Sequence, residues 1–97
     1  MARTCASGLL AWMDIRTQFG AILRDFRVGK GLTQEELAFR AGMHTTYLSR
    51  LEKGRYNPSL AVIIDLSQAL GVHPSDLLLP LRIDEYTPPT QRRRAID

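Results

Sequence analysis

The sequence predicts an all-α domain, a compact bundle of five short helices, and three observations predict it. Apolar residues at 15, 19, 22, 23 and 26 follow the 4-3-1-3 spacing of a single helix face. Thr33 with Glu36 three residues later is the signature of a helix start closed by reciprocal hydrogen bonds. Gly29, Gly31, Gly42, Gly54, Gly71 and Pro80 then divide the chain into segments of helical length, none alternating as a strand does.

The elements follow in order. The first helix starts at Ile15 and is stopped by Gly29 and Gly31. The second opens at Gln34, turns Leu37, Ala38 and Ala41 inward, and ends where Gly42 turns the chain. The third runs from about Thr45 to Lys53, with Leu48 and Leu51 inward and Gly54 after its end. Asn57-Pro58 reads as an N-cap with proline at the first helical position, opening a fourth helix carried by Leu60, Ile63, Leu66, Ser67 and Leu70 to Gly71. Pro74-Ser75-Asp76 opens a fifth through Leu77 to Leu79, stopped by Pro80.

The expected organisation is an N-terminal extension or arm over residues 1–14, the helical domain over 15–80, and a C-terminal tail over 81–97. The extension holds two alternatives: translation that begins at Met13, or a short arm packed through Leu9, Leu10 and Trp12. The tail has Pro88-Pro89 and the triplet Arg92 to Arg94 without apolar periodicity, so it reads as mobile, solvated or following a polyanion.

Composition narrows the function classes. With 44% apolar and 24% charged residues, disorder throughout is excluded. One cysteine, Cys5, makes neither an intramolecular disulfide nor a multi-cysteine metal site. No run approaches the roughly 18 apolar residues that span a membrane, and Gly8 to Met13 is short for a secretory signal, so a cytoplasmic protein is expected. His44 and His73 are far apart and sit in no nucleophile or metal motif; an enzyme is not expected, nor any cofactor. The formal charge of +3 is too small to name a partner, but three cations (Arg50, Lys53, Arg55) against Glu52 concentrate charge between residues 44 and 57.

Two short helices joined at a glycine, the second offering small polar and basic side chains outward, are the layout that sets a helix in the major groove of DNA. The residues from about 16 to 80 closely resemble the helix-turn-helix family of phage Cro and repressor proteins, also called the XRE family. The likeness is carried by Gly31-Leu32-Thr33-Gln34-Glu35-Glu36-Leu37-Ala38 and by Tyr47-Leu48-Ser49-Arg50-Leu51-Glu52-Lys53-Gly54. Asn57-Pro58-Ser59-Leu60 and Ala69-Leu70-Gly71-Val72 extend it.

The resemblance implies roles for particular residues. Thr45, Thr46 and Arg50 match the family's principal base-reading positions, Arg50 being able to fork onto guanine O6 and N7. His44 is either a base contact or a helix cap, and Tyr47 either a phosphate contact or a lid on the core. Gln34 matches the position that clamps a backbone phosphate, and Ser49, Lys53, Arg55 and Asn57 are further phosphate candidates. Arg27 and Glu52 match the family's internal ion pair.

The function implied is sequence-specific binding of double-stranded DNA by a small dimeric transcriptional regulator, a repressor more readily than an activator. A homodimer on a palindromic operator is expected, with no small-molecule effector. Val62, Ile64, Leu77, Leu78, Leu79, Leu81 and Tyr86 are the candidate dimer surface, Leu77 fitting the monomer core better. The alternative is an antitoxin or other protein-interaction module on the same fold, with or without DNA binding.

Overall fold

The computed structural model describes residues 14–83 of the 97. The readings on Cys5, Leu9, Leu10, Trp12, Met13, Tyr86, Pro88-Pro89 and Arg92 to Arg94 lie outside those residues. Among the described residues the fold is all-α: α1 Ile15–Gly29, α2 Gln34–Ala41, α3 Thr45–Glu52, α4 Leu60–Leu70 and α5 Pro74–Leu78.

Four of the five helix starts are capped by a side chain that accepts from a free backbone N–H of the first turn. Asp14 Oδ1 accepts from the Thr17 N–H at 2.9 Å to open α1. At α2, Thr33 Oγ1 accepts from the Glu36 N–H at 3.0 Å while Glu36 Oε1 accepts from the Thr33 N–H at 2.8 Å. Pro74 stands at the first position of α5, behind a His73 cap whose Nδ1 accepts from the Ser75 N–H.

The start of α4 differs from the expected Asn57-Pro58 cap. Ser59 is the N-cap, its Oγ accepting from the Val62 N–H at 3.1 Å, so the helix opens at Leu60. A serine hydroxyl two residues closer to the apolar run wins over the asparagine, and Pro58 stays in the connecting loop. The same register turns Leu60 outward at 73% exposure, although the apolar pattern predicts it inward. At the far end α5 stops at Leu78, and Leu79 is 82% exposed rather than packed.

The helices close a ring of contacts in the order α1–α3–α2–α4–α5 and back to α1. Inside it lies one core, built on Phe19, Leu23, Leu37, Ala38, Leu48, Leu51, Leu66, Leu70 and Leu77. Leu77 is fully buried there, so of the candidate dimer residues it belongs to the monomer. Val62 and Leu81 are half-buried against the same core.

The chain stays on the domain past Pro80. The buried Gln18 accepts from the Arg82 N–H at 2.7 Å and donates to the Arg82 carbonyl at 3.2 Å. One side-chain amide thus pairs with both backbone groups of a residue 64 positions away, which ties the segment after α5 to α1.

Candidate nucleic-acid interface

The position of α3 is fixed from three sides. At the turn, Gly42 adopts φ 71°, and the Met43 N–H returns to the Ala38 carbonyl at 3.0 Å. Ala38 is buried to 1% exposure, small enough for α2 and α3 to approach, with Leu37, Leu48 and Leu51 filling the wedge between them. From the other side α1 brings Gly20 onto the end of α3; a Cβ there would lie 2.5 Å from the carbonyl oxygens of Leu51 and Glu52.

The third constraint is a buried hydrogen-bond cluster on Glu52. Arg27 Nε donates to Glu52 Oε2 at 2.6 Å and Nη2 to Oε1 at 3.1 Å, a two-pronged pair. The remaining Arg27 nitrogen, Nη1, donates to the Leu32 carbonyl at 2.8 Å, holding the loop before α2. Gln34 Nε2 donates to the same Glu52 Oε1 at 3.0 Å. One carboxylate therefore holds α1, the loop, the first residue of α2 and the last residue of α3 together.

This arrangement changes the electrostatic reading of the surface. Glu52 is turned inward and neutralised by Arg27, so it does not offset its neighbours. Arg50, Lys53 and Arg55 are all exposed, and with Gln34, Thr45, Thr46 and Ser49 they line a shallow concavity of about 430 Å3. Cations and hydroxyls on a concave face suit a phosphodiester backbone with base edges beyond it.

The other candidates are placed variously. His44 holds the extended N-cap backbone conformation of α3, yet its side chain makes no capping hydrogen bond. Gln34 lies on the concavity as well as on Glu52, so one amide hydrogen is engaged internally and the other is available outward. Tyr47 rests half-buried against the core. Asn57 is exposed in the loop after α3 and does not line the concavity.

Sequence reasoning passes over Tyr56. Its ring stacks on Tyr47 with centroids 5.4 Å apart and planes 19° apart, and its hydroxyl accepts from Arg50 Nη1 at 3.1 Å. A loop aromatic outside any periodic pattern gives no signal in a helical reading, apart from its place six residues beyond Arg50. Gln18 and Gly20 are missed too. Both fall on the buried face of α1, and a glycine inside a helical pattern signals close packing.

A capped helix, a glycine turn and a second helix with an exposed basic face define a helix-turn-helix DNA-binding domain. The chain belongs to the helix-turn-helix family, of the Cro–repressor or XRE type, whose model matches residues 23–77. It is 46% identical over 68 residues to an HTH-type transcriptional regulator, y4dJ, of Sinorhizobium fredii, covering 70% of this chain and 88% of that one. It is 47% identical over 66 residues to the control protein C.BamHI of Bacillus amyloliquefaciens, covering 67% and 82%. Among solved structures, the restriction-modification controller protein C.AhdI of Aeromonas hydrophila matches with TM-score 0.62 and 43% identity, over 63% of this chain and 92% of that one. The family is one of DNA-binding transcriptional regulators, and no described helix is long and apolar enough to cross a membrane.

Proposed function

We propose that this protein is a small dimeric transcriptional regulator that inserts α3 into the major groove of a palindromic operator. Arg50, Thr45 and Thr46 read bases, with His44 beside them at the helix start. Gln34, Ser49, Lys53, Arg55, Tyr47 and Asn57 hold phosphates and so set the register. The observation that carries this reading is the shared concavity of Gln34, Thr45, Thr46, Ser49, Arg50, Lys53 and Arg55, whose cations have no carboxylate partner among the described residues.

One domain offers few base contacts, so useful affinity calls for two copies on half-sites about one helical turn apart. Leu78, Leu79 and Ile83 are exposed near one end of the domain and supply an apolar surface for pairing. Repression follows wherever the operator overlaps a promoter, because an occupied site excludes polymerase. The likeness to C.BamHI and C.AhdI favours, within the regulators, a controller acting in a restriction–modification system.

Selection from random duplex DNA at about 150 mM salt, read by sequencing, tests the proposal. A two-fold motif with half-sites roughly 10 base pairs apart supports it. Recovery of unrelated sequences whose binding vanishes with modest salt defeats it.

A further inference from the structure

Resting on the assignment of Arg50 as a base reader, we infer that Tyr56 is a positioning residue that sets how sharply Arg50 discriminates its base pair. Arginine is a costly reader because its long side chain has many rotamers, and that freedom must be surrendered when it docks on a base. A partner that already restrains the guanidinium in the free protein lowers that loss and narrows the orientations offered.

The geometry supplies such a partner. The Tyr56 hydroxyl accepts one hydrogen from Arg50 Nη1 at 3.1 Å. Five N–H donors are present on a guanidinium, so engaging Nη1 leaves the edge formed by Nε and Nη2 intact for a two-pronged contact. Tyr56 is itself not free to swing. Its ring lies on Tyr47 at 5.4 Å and 19°, and Tyr47 is packed against the hydrophobic core. A rigid path thus runs from the core through two stacked rings to the base-reading group. The backbone already ties this loop to the helix, the Arg55 N–H donating to the Arg50 carbonyl at 3.0 Å, and the Tyr56 hydroxyl adds a hold on the Arg50 side chain.

The orientation of the chemistry matters. The hydroxyl accepts from a cation, so the arginine keeps its full charge and its planar fork; a carboxylate in that place would have neutralised it. Tyr56 is 37% exposed, and its role is exerted through Arg50 rather than through a contact of its own with DNA.

The test uses the purified full chain and the consensus duplex from the random selection, together with duplexes changed at each base pair. Arg50→Ala identifies the pair that Arg50 reads. Tyr56→Phe keeps the ring stack and removes only the hydroxyl. The expected result is an unchanged melting temperature and a loss of discrimination of about fivefold at that same pair, the size of one hydrogen bond. The double variant should lose no more there than Arg50→Ala alone. The inference is overturned if Arg50→Ala relaxes a pair and Tyr56→Phe leaves it sharp. A uniform loss of affinity across all duplexes overturns it too, since that marks a phosphate contact of the hydroxyl. A gain in affinity overturns it in the opposite sense, showing that Tyr56 holds Arg50 away from DNA. If Arg50→Ala relaxes no pair, the base-reading assignment itself has failed, an outcome separate from the other three.

Discussion

Gly20 in α1 faces the carbonyl oxygen of Glu52 at the end of α3 so closely that a Cβ would stand 2.5 Å from it. Both neighbours at that distance are backbone, which cannot rotate aside. The only relief is for α1 or α3 to move. Gly20→Ala should therefore destabilise the domain by about 1–3 kcal/mol, the range for overpacking, despite the higher helix propensity of alanine. Thermal melting checks this, and an unchanged or raised melting temperature would show the contact to be looser than described.

Glu52→Ala removes the acceptor for Arg27 Nε and Nη2 and for Gln34 Nε2 at one stroke. Arg27 is left largely buried and unpaired, which costs about 3–5 kcal/mol. Glu35→Ala, on the exposed side of α2, should stay within about 0.5 kcal/mol of the parent. Equal melting temperatures for the two variants would dissolve the argument that one carboxylate orders the site.

Two helix caps make the fold sensitive to acid. The backbone N–H of Thr17 holds the Asp14 carboxyl below its ordinary range, and that of Thr33 does the same for Glu36. The fold thus favours the ionised forms. Their contribution is complete above the unfolded values of about 3.9 and 4.3, and is lost as pH falls through the lower folded ones. Glu36→Gln keeps an acceptor at the third position of α2 and removes the titration. Its acid unfolding curve should be shallower than the parent's, and superimposable curves would contradict this.

Lys53 and Arg55 are exposed cations on the concavity, assigned to phosphates. Alanine at either should weaken binding evenly across sequences and lower the steepness of log K against log salt by about 1. A change confined to particular sequences would reassign the residue to base reading. If about six phosphates are neutralised per dimer, the parent slope is roughly −5.

Leu77 and Leu79 are two residues apart, one in the core and the other 82% exposed. Leu77→Ala should cost about 2–5 kcal/mol in any oligomeric state. Leu79→Glu should leave the fold intact and lower the solution mass from dimer to monomer. A Leu79→Glu variant that remained dimeric in sedimentation would move the pairing surface elsewhere.

What was legible in the sequence follows a physical division. Helix identity and the capping box at Thr33–Glu36 are local, set by residues three or four apart, and they appear in the structure. Asn57 and Ser59 offer similar acceptors for the α4 cap, and only the helix register decides between them, in favour of Ser59. The Arg27–Glu52 pairing entered through resemblance, not spacing, because it spans 25 residues. Gln18 and Gly20 act through contacts made only when distant segments meet, and Tyr56 acts through an irregular loop whose conformation no periodic pattern specifies. Gln18 is the plainest case, its partner Arg82 lying 64 residues on.

The cluster on Glu52 lies beneath α3, whereas Thr45, Thr46 and Ser49 make no side-chain hydrogen bond among the described residues. The packing residues Leu48 and Leu51 and the residues proposed to read bases thus occupy opposite sides of one eight-residue helix. A library randomised at 45, 46 and 50, the proposed base-reading positions, should keep its scaffold while sampling new operators. New regulators of this architecture can accordingly arise by exchanging a few surface side chains, with no redesign of the protein beneath them.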